Sequence, residues 1–132
     1  KFSNKLQNTT NKLSKNSAKF KDTTMKKGKK TYTVQLTGLN KCIAKDKTFN
    51  TLYVDTNIKG KDKKKVTVTN VNVFFDGKKV KTIKKGVLTP DPGQTDGFVQ
   101  LQIINMWNSR VAKFKYTMPK KTIKVTYTVK IK

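Results

Sequence analysis

Histidine and glutamate are absent from this 132-residue chain, and cysteine, arginine and tryptophan occur once each, as Cys42, Arg110 and Trp107. Each absence closes off a chemistry. Without an imidazole there is no Ser-His-Asp triad, no Cys–His dyad and no ordinary zinc site. A single thiol makes no intrachain disulfide framework and no paired-cysteine metal knuckle. The seven acids are all aspartates, and no two of them stand out as the close carboxylate pair that a hydrolase uses. No apolar run approaches the roughly 18 residues of a membrane-spanning helix, and no signal-peptide core is present. The sequence therefore predicts no catalytic residues, no metal site, no cofactor and no membrane span.

What remains is lysine. Lysine and arginine together number 31 against seven aspartates, a formal net charge of +24 and a pI near 10.3. Hydrophobic residues make up 34% of the chain and the mean hydropathy is −0.69. Low hydrophobicity with high charge is the composition of a disordered chain. The order of the residues argues otherwise from Thr31 onward. There Val, Ile, Leu, Phe and Tyr alternate with Thr and Lys, the period-two pattern of a half-buried strand.

The chain is accordingly divided at Lys30. Residues 1–30 read as a basic, Lys/Asn-rich tail or linker. Phe2, Leu6, Leu13 and Phe20 give it a thin helical stripe, so a short docking helix is the alternative. Residues 31–132 read as one β domain. Tyr32, Val34 and Leu36 alternate, then Leu52, Val54, Thr56 and Ile58. Lys59 to Lys65 is a charged loop. Val66 and Val68 begin a run that continues through Val71, Val73 and Phe75. The apolar phase flips between Val68 and Val71, which requires a bulge near Asn70 or a crossing between sheets. Asp76-Gly77 is a two-residue hairpin signal, followed by a strand with Val80 and Ile83. The two prolines of Thr89-Pro90-Asp91-Pro92-Gly93 read as a loop. Strands are expected over Phe98–Trp107, over Ala112–Met118, and at Ile123, Val125, Tyr127, Val129 and Ile131. Seven or eight strands at this spacing make an antiparallel, Ig-like β-sandwich, with a Greek-key barrel as the alternative.

Val66-Thr67-Val68-Thr69-Asn70-Val71, the Phe74-Phe75-Asp76-Gly77-Lys78-Lys79 hairpin and the closing Ile123-Lys124-Val125-Thr126-Tyr127 strand carry a resemblance. Over residues 31–132 the chain resembles Ig-like modules of bacterial and archaeal adhesin-like surface proteins. That resemblance implies an extracellular or cell-surface address and a binding or spacer role. Some such modules hold an internal Lys–Asn isopeptide bond beside a buried acid. Asp55 would be that acid here, although so many lysines and asparagines make a chance match expected.

Among single residues, Cys42 is expected to be a small buried apolar side chain. Asp91 and Asp96 offer carboxylates to a calcium ion, but their spacing matches no EF-hand, and a turn with Asx hydrogen bonds is the expected structure. Trp107 is either core or a platform for ligand stacking at the sandwich rim. The lysines on strands, Lys79, Lys81, Lys113, Lys115, Lys124 and Lys130, are the candidate polyanion-binding residues. If the last two strands pair, Lys113, Lys115, Lys124 and Lys130 share one outer face. The expected partners are an anionic cell-wall polymer, an acidic glycan or nucleic acid, bound by charge. The alternatives are a spacer or stalk domain with no ligand, or a non-specific nucleic-acid-binding protein. One arginine is too few for base readout.

Overall fold

The computed structural model describes residues 4–8, 27–37, 39, 49, 51–90 and 98–132. Among the described residues eight strands form two antiparallel sheets of four. They are β1 (Asn4–Asn8), β2 (Gly28–Leu36), β3 (Thr51–Lys59), β4 (Val66–Phe75), β5 (Lys78–Lys85), β6 (Val87–Pro90), β7 (Phe98–Asn105) and β8 (Ile123–Ile131). One sheet has the order β1-β3-β7-β6 and the other β2-β8-β4-β5. This is the all-β sandwich that the alternation called for.

The cleanest alternation belongs to β8, and it occupies a central position. It pairs with β2 along nine residues, Gly28 opposite Ile131 through Leu36 opposite Ile123, and with β4 on its other side. Ile123, Val125, Tyr127 and Val129 face inward with at most 2% exposure. They meet Leu52, Val54 and Ile58 of β3 and Val99, Leu101 and Ile103 of β7 in one core. Buried Thr56 is accommodated because its hydroxyl donates to the Val99 carbonyl at 2.6 Å and accepts from the Ile58 N–H at 3.2 Å.

The phase flip in β4 is a bulge. The register with β8 shifts between Thr69 and Asn72, and Asn70 takes φ 52°. Asparagine tolerates that left-handed conformation better than most residues. Val68 and Val71 can thus both face the core. At the end of β4, Asp76 (φ 53°) and Gly77 (φ 82°) form the left-handed pair of a type I′ hairpin turn.

Four expectations need correction. Residues 4–8 lie outside any tail or helix, because β1 pairs with β3, and β2 begins at Gly28 rather than after Lys30. Thr89 and Pro90, expected in a loop, end β6 (Val87–Pro90), an edge strand where a proline's missing N–H costs no ladder bond, while residues 91–93 of that expected loop lie outside the described residues. The Lys59–Lys65 loop is a 3-10 helix over Gly60–Lys65. Lastly, Ala112–Met118 is not a strand, and β8 pairs with β2 and β4 instead. Both edges of β8 are filled. The segment that leads to it spends its apolar residues on one end of the sandwich, where Phe114 and Tyr116 pack with Phe49 and Phe75. Lys124 and Lys130 both face outward on β8, but Lys113 and Lys115 are on no strand and do not extend that face.

Asp76 fastens that segment. Its carboxylate accepts from the backbone N–H groups of Lys120 (2.8 Å), Lys121 (2.7 Å) and Thr122 (3.0 Å), while its own N–H donates to the Thr122 carbonyl. The Lys120 amide above all, with those of Lys121 and Thr122, holds the carboxyl below its usual range. A carboxyl lowered in this way contributes stability above the unfolded value of about 3.9, and the contribution is lost as pH falls through the folded value. Asp76→Asn keeps a residue that tolerates positive φ but removes the charge. It is expected to melt several degrees below the parent at pH 7, with the gap closing below about pH 4. Melting curves across pH check this, and a gap independent of pH would contradict it.

Two core substitutions test the packing. Gly86 lies where the chain leaves one sheet for the other, and a Cβ built there would sit 2.7 Å from Leu101 Cδ1 and 3.1 Å from Val68 Cγ1. Leu101 and Val68 are both buried, so neither yields without repacking. Gly86→Ala is expected to destabilise by about 1–3 kcal/mol. Val125→Asp places an unpaired charge in the core and is expected to cost several kcal/mol out of a typical total of roughly 5–15. Thr126→Asp, pointing outward, should cost little. Chemical denaturation of the three variants checks both statements; equal losses at 125 and 126 would overturn the register.

Candidate functional site

The register sorts the described lysines in a way their sequence positions conceal. At one end of the sandwich Gly28, Ile131 and Val66 lie in one row, and Lys29, Lys130 and Thr67 in the next. Lys27, Lys29 and Lys30 belong to the start of β2. The 3-10 helix that precedes Val66 adds Lys61, Lys63, Lys64 and Lys65, with Lys59 just before it. Beyond β8, the Lys132 N–H donates to the Lys65 carbonyl at 2.9 Å, tying the last residue to that helix. With Lys130, ten lysines converge on this pole, and all but Lys63 are exposed.

Asp62 is the one acid among the described residues there, 3.9 Å from the Lys65 ammonium. No other ion pair of the pole's lysines occurs among the described residues. Lys29 and Lys130 stand directly opposite each other on adjacent strands, and like charges so placed destabilise a sheet. The Lys30 ammonium lies 5.6 Å from the centre of the Tyr32 ring, which stacks on Tyr127. Burial raises the pKa of both phenols, Tyr127 far more, so neither adds negative charge near neutral pH.

Of the lysines singled out from sequence, only Lys130 belongs to this pole. Lys124 and Lys79 flank the outward Phe74 at the other end of the same sheet, with the Lys124 ammonium 4.4 Å above its ring. Lys81 lies opposite Val73 on β5, an edge strand that also carries Lys78, Lys79, Lys84 and Lys85. Lysine on an edge strand blocks pairing with other chains. Lys113 and Lys115 are exposed on the segment between β7 and β8.

That segment holds a second feature. Met106 is 57% exposed and Trp107 76%, the large apolar side chains left in solvent among the described residues. The core reading of Trp107 is therefore wrong, and the rim reading is the one compatible with its position. Both residues sit on a braced turn. Asp55 accepts from Gln100, Gln100 from Gln102, and Gln102 from Asn105, all near 3 Å, and the Asn105 oxygen accepts the Trp107 N–H at 3.0 Å. Gln100 and Gln102 are only 3% and 5% exposed, so this relay is fixed by its surroundings. Asp55 is engaged in this relay. Beside the turn a cavity of about 270 Å3 is lined chiefly by Phe49, Ile104, Met106, Phe114 and Tyr116, with Lys113 at its edge. Tyr116 is held by its hydroxyl, which accepts the Phe49 N–H at 2.8 Å.

No group of three or more metal-ligating side chains occurs among the described residues. Cys42, Asp91 and Asp96 lie outside them. No helix of the described residues is long and apolar enough to cross a membrane. Comparison with protein-family models, curated proteins and solved structures finds no match, so the functional reading is built on the charge and geometry above.

Proposed function

We propose that this chain is a non-enzymatic β-sandwich module, of the Ig-like kind carried by surface proteins, that associates with anionic polymers through lysine charge. The observation that carries the reading is the basic pole, where among the described residues ten lysines meet one acid. A field of this size attracts polyanions and their phosphate, sulfate or carboxylate groups. Lysine presents a compact point charge with no planar fork, so its contacts are many, loose and insensitive to sequence. Wall polymers, acidic glycans and nucleic acid all offer the complementary charge, and the proposed address is outside the cell. Binding an anion would also relieve the Lys29–Lys130 repulsion and stabilise the fold by linkage.

The lysines of β5 favour a second reading for themselves. Five in eight residues of an edge strand suit a spacer domain kept soluble and unpaired. Two charge-matched variants separate the roles. Lys61, Lys63, Lys64 and Lys65 are changed to Gln in one, and Lys78, Lys79, Lys84 and Lys85 in the other. Affinity for heparin and for two unrelated DNA duplexes is then measured across salt. Log affinity for the duplexes should fall linearly with log salt, with a slope near 0.9 per phosphate engaged. The pole variant should bind more weakly and with a flatter slope, the β5 variant nearly as the parent, and the two duplexes alike. Equal effects of the two variants would contradict a localised pole, and no binding at low salt would leave the spacer reading.

A further inference from the structure

The Met106–Trp107 turn is at the opposite end of β7 from the basic pole, and diffuse charge does not account for it. Two adjacent large apolar side chains are left in water on a turn stiffened by the relay from Asp55 and by further bonds from the Val111 N–H to the Asn108 carbonyl and the Arg110 N–H to the Asn108 side chain. Exposed apolar residues so presented mark a contact surface. The chemistry of the surround narrows the partner. From Gly97 to Lys132 the sequence has no acid, and Arg110, Lys113 and Lys115 follow the turn directly. All three are exposed, and Lys113 shares the cavity wall with Met106. That cavity is mostly aromatic and aliphatic, so it suits hydrocarbon better than the hydroxyls of a sugar. The partner must then offer apolar matter beneath a layer of negative charge.

We propose that this turn is an interfacial anchor for bilayers containing anionic lipid, with Met106 and Trp107 entering the headgroup–acyl boundary while Arg110, Lys113 and Lys115 meet the headgroups. Tryptophan settles at that depth because its ring is apolar and its N–H is polar. Basic residues close to an anionic leaflet add attraction that falls off within a screening length. The protein lies on the membrane and does not cross it. This inference is independent of the polymer reading, which uses the other pole.

Trp107 is the sole tryptophan and therefore reports on its own insertion. The full chain is mixed with phosphatidylcholine vesicles, with vesicles of roughly one-third phosphatidylglycerol, and separately with heparin. A blue shift of Trp107 emission, and its quenching by lipids brominated on the acyl chain, are expected only with the anionic vesicles. Heparin should bind without shifting it. In sedimentation with anionic vesicles, the double variant Met106→Ser, Trp107→Ser should bind about tenfold more weakly, while its retention on heparin is unchanged. Vesicle binding with unmoved emission, undiminished binding of the double variant, or an equal shift with heparin would each overturn the anchor. The first two outcomes leave the polymer reading untouched, whereas an equal shift with heparin would also count against a polymer site confined to the basic pole.

Discussion

The fold rests on β8 having a partner on each side. A strand that alternates Ile, Val, Tyr, Val and Ile with Lys and Thr could sit at an edge. Here it is placed between β2 and β4, with its apolar row against the opposite sheet. That position joins β2 to the last strand along nine residue pairs. It also decides where the charges go. Pairing β2 and β4 with β8 in these registers brings the start of β2, the 3-10 helix and the end of β8 to one pole. The lysines of all three then add.

Such an arrangement opposes stability. A chain with a net charge of +24 repels itself as it folds, and folded domains are stable by only roughly 5–15 kcal/mol. The structure offsets this with an apolar core and with polar groups that have partners. Thr56 is satisfied within the core, the Gln100–Gln102–Asn105 relay carries hydrogen bonds along β7, and Asp76 gathers three amides. No buried side-chain polar atom among the described residues lacks a partner. The acids are too few to neutralise the surface. Asp76 binds backbone amides and Asp55 the relay, so among the described residues the lysines of the pole have Asp62 alone.

β2, β3, β4, β5, β7 and β8 were legible in the sequence because the period-two signal is local, whereas β1 and β6 are too short to show it. The bulge at Asn70 showed as a phase flip, and the Asp76-Gly77 turn as a dipeptide with a known geometry. What local signals cannot carry is pairing. Ala112 to Met118 alternates as cleanly as a strand, yet Phe114 and Tyr116 cap one end of the sandwich. The shared outer face expected for Lys113, Lys115, Lys124 and Lys130 depends on that segment pairing with β8, which it does not do. The charge run from Lys59 to Lys65 was visible, but its meeting with Lys29, Lys130 and Lys132 depends on contacts far apart in the chain. Likewise nothing local told an exposed Trp107 from a buried one; the turn that lifts it into solvent is built by Asn105 and Asn108.

Amide chemical shifts followed by NMR during titration with a short heparin oligosaccharide test the central claim most directly. A localised basic pole requires the shifts to gather on Gly60–Lys65, on Lys29 and Lys130 and on Lys132, with β5 and the Met106–Trp107 turn unmoved. Shifts of similar size along β5 and around Lys120 and Lys121 would show that the charge acts diffusely, and would contradict the account.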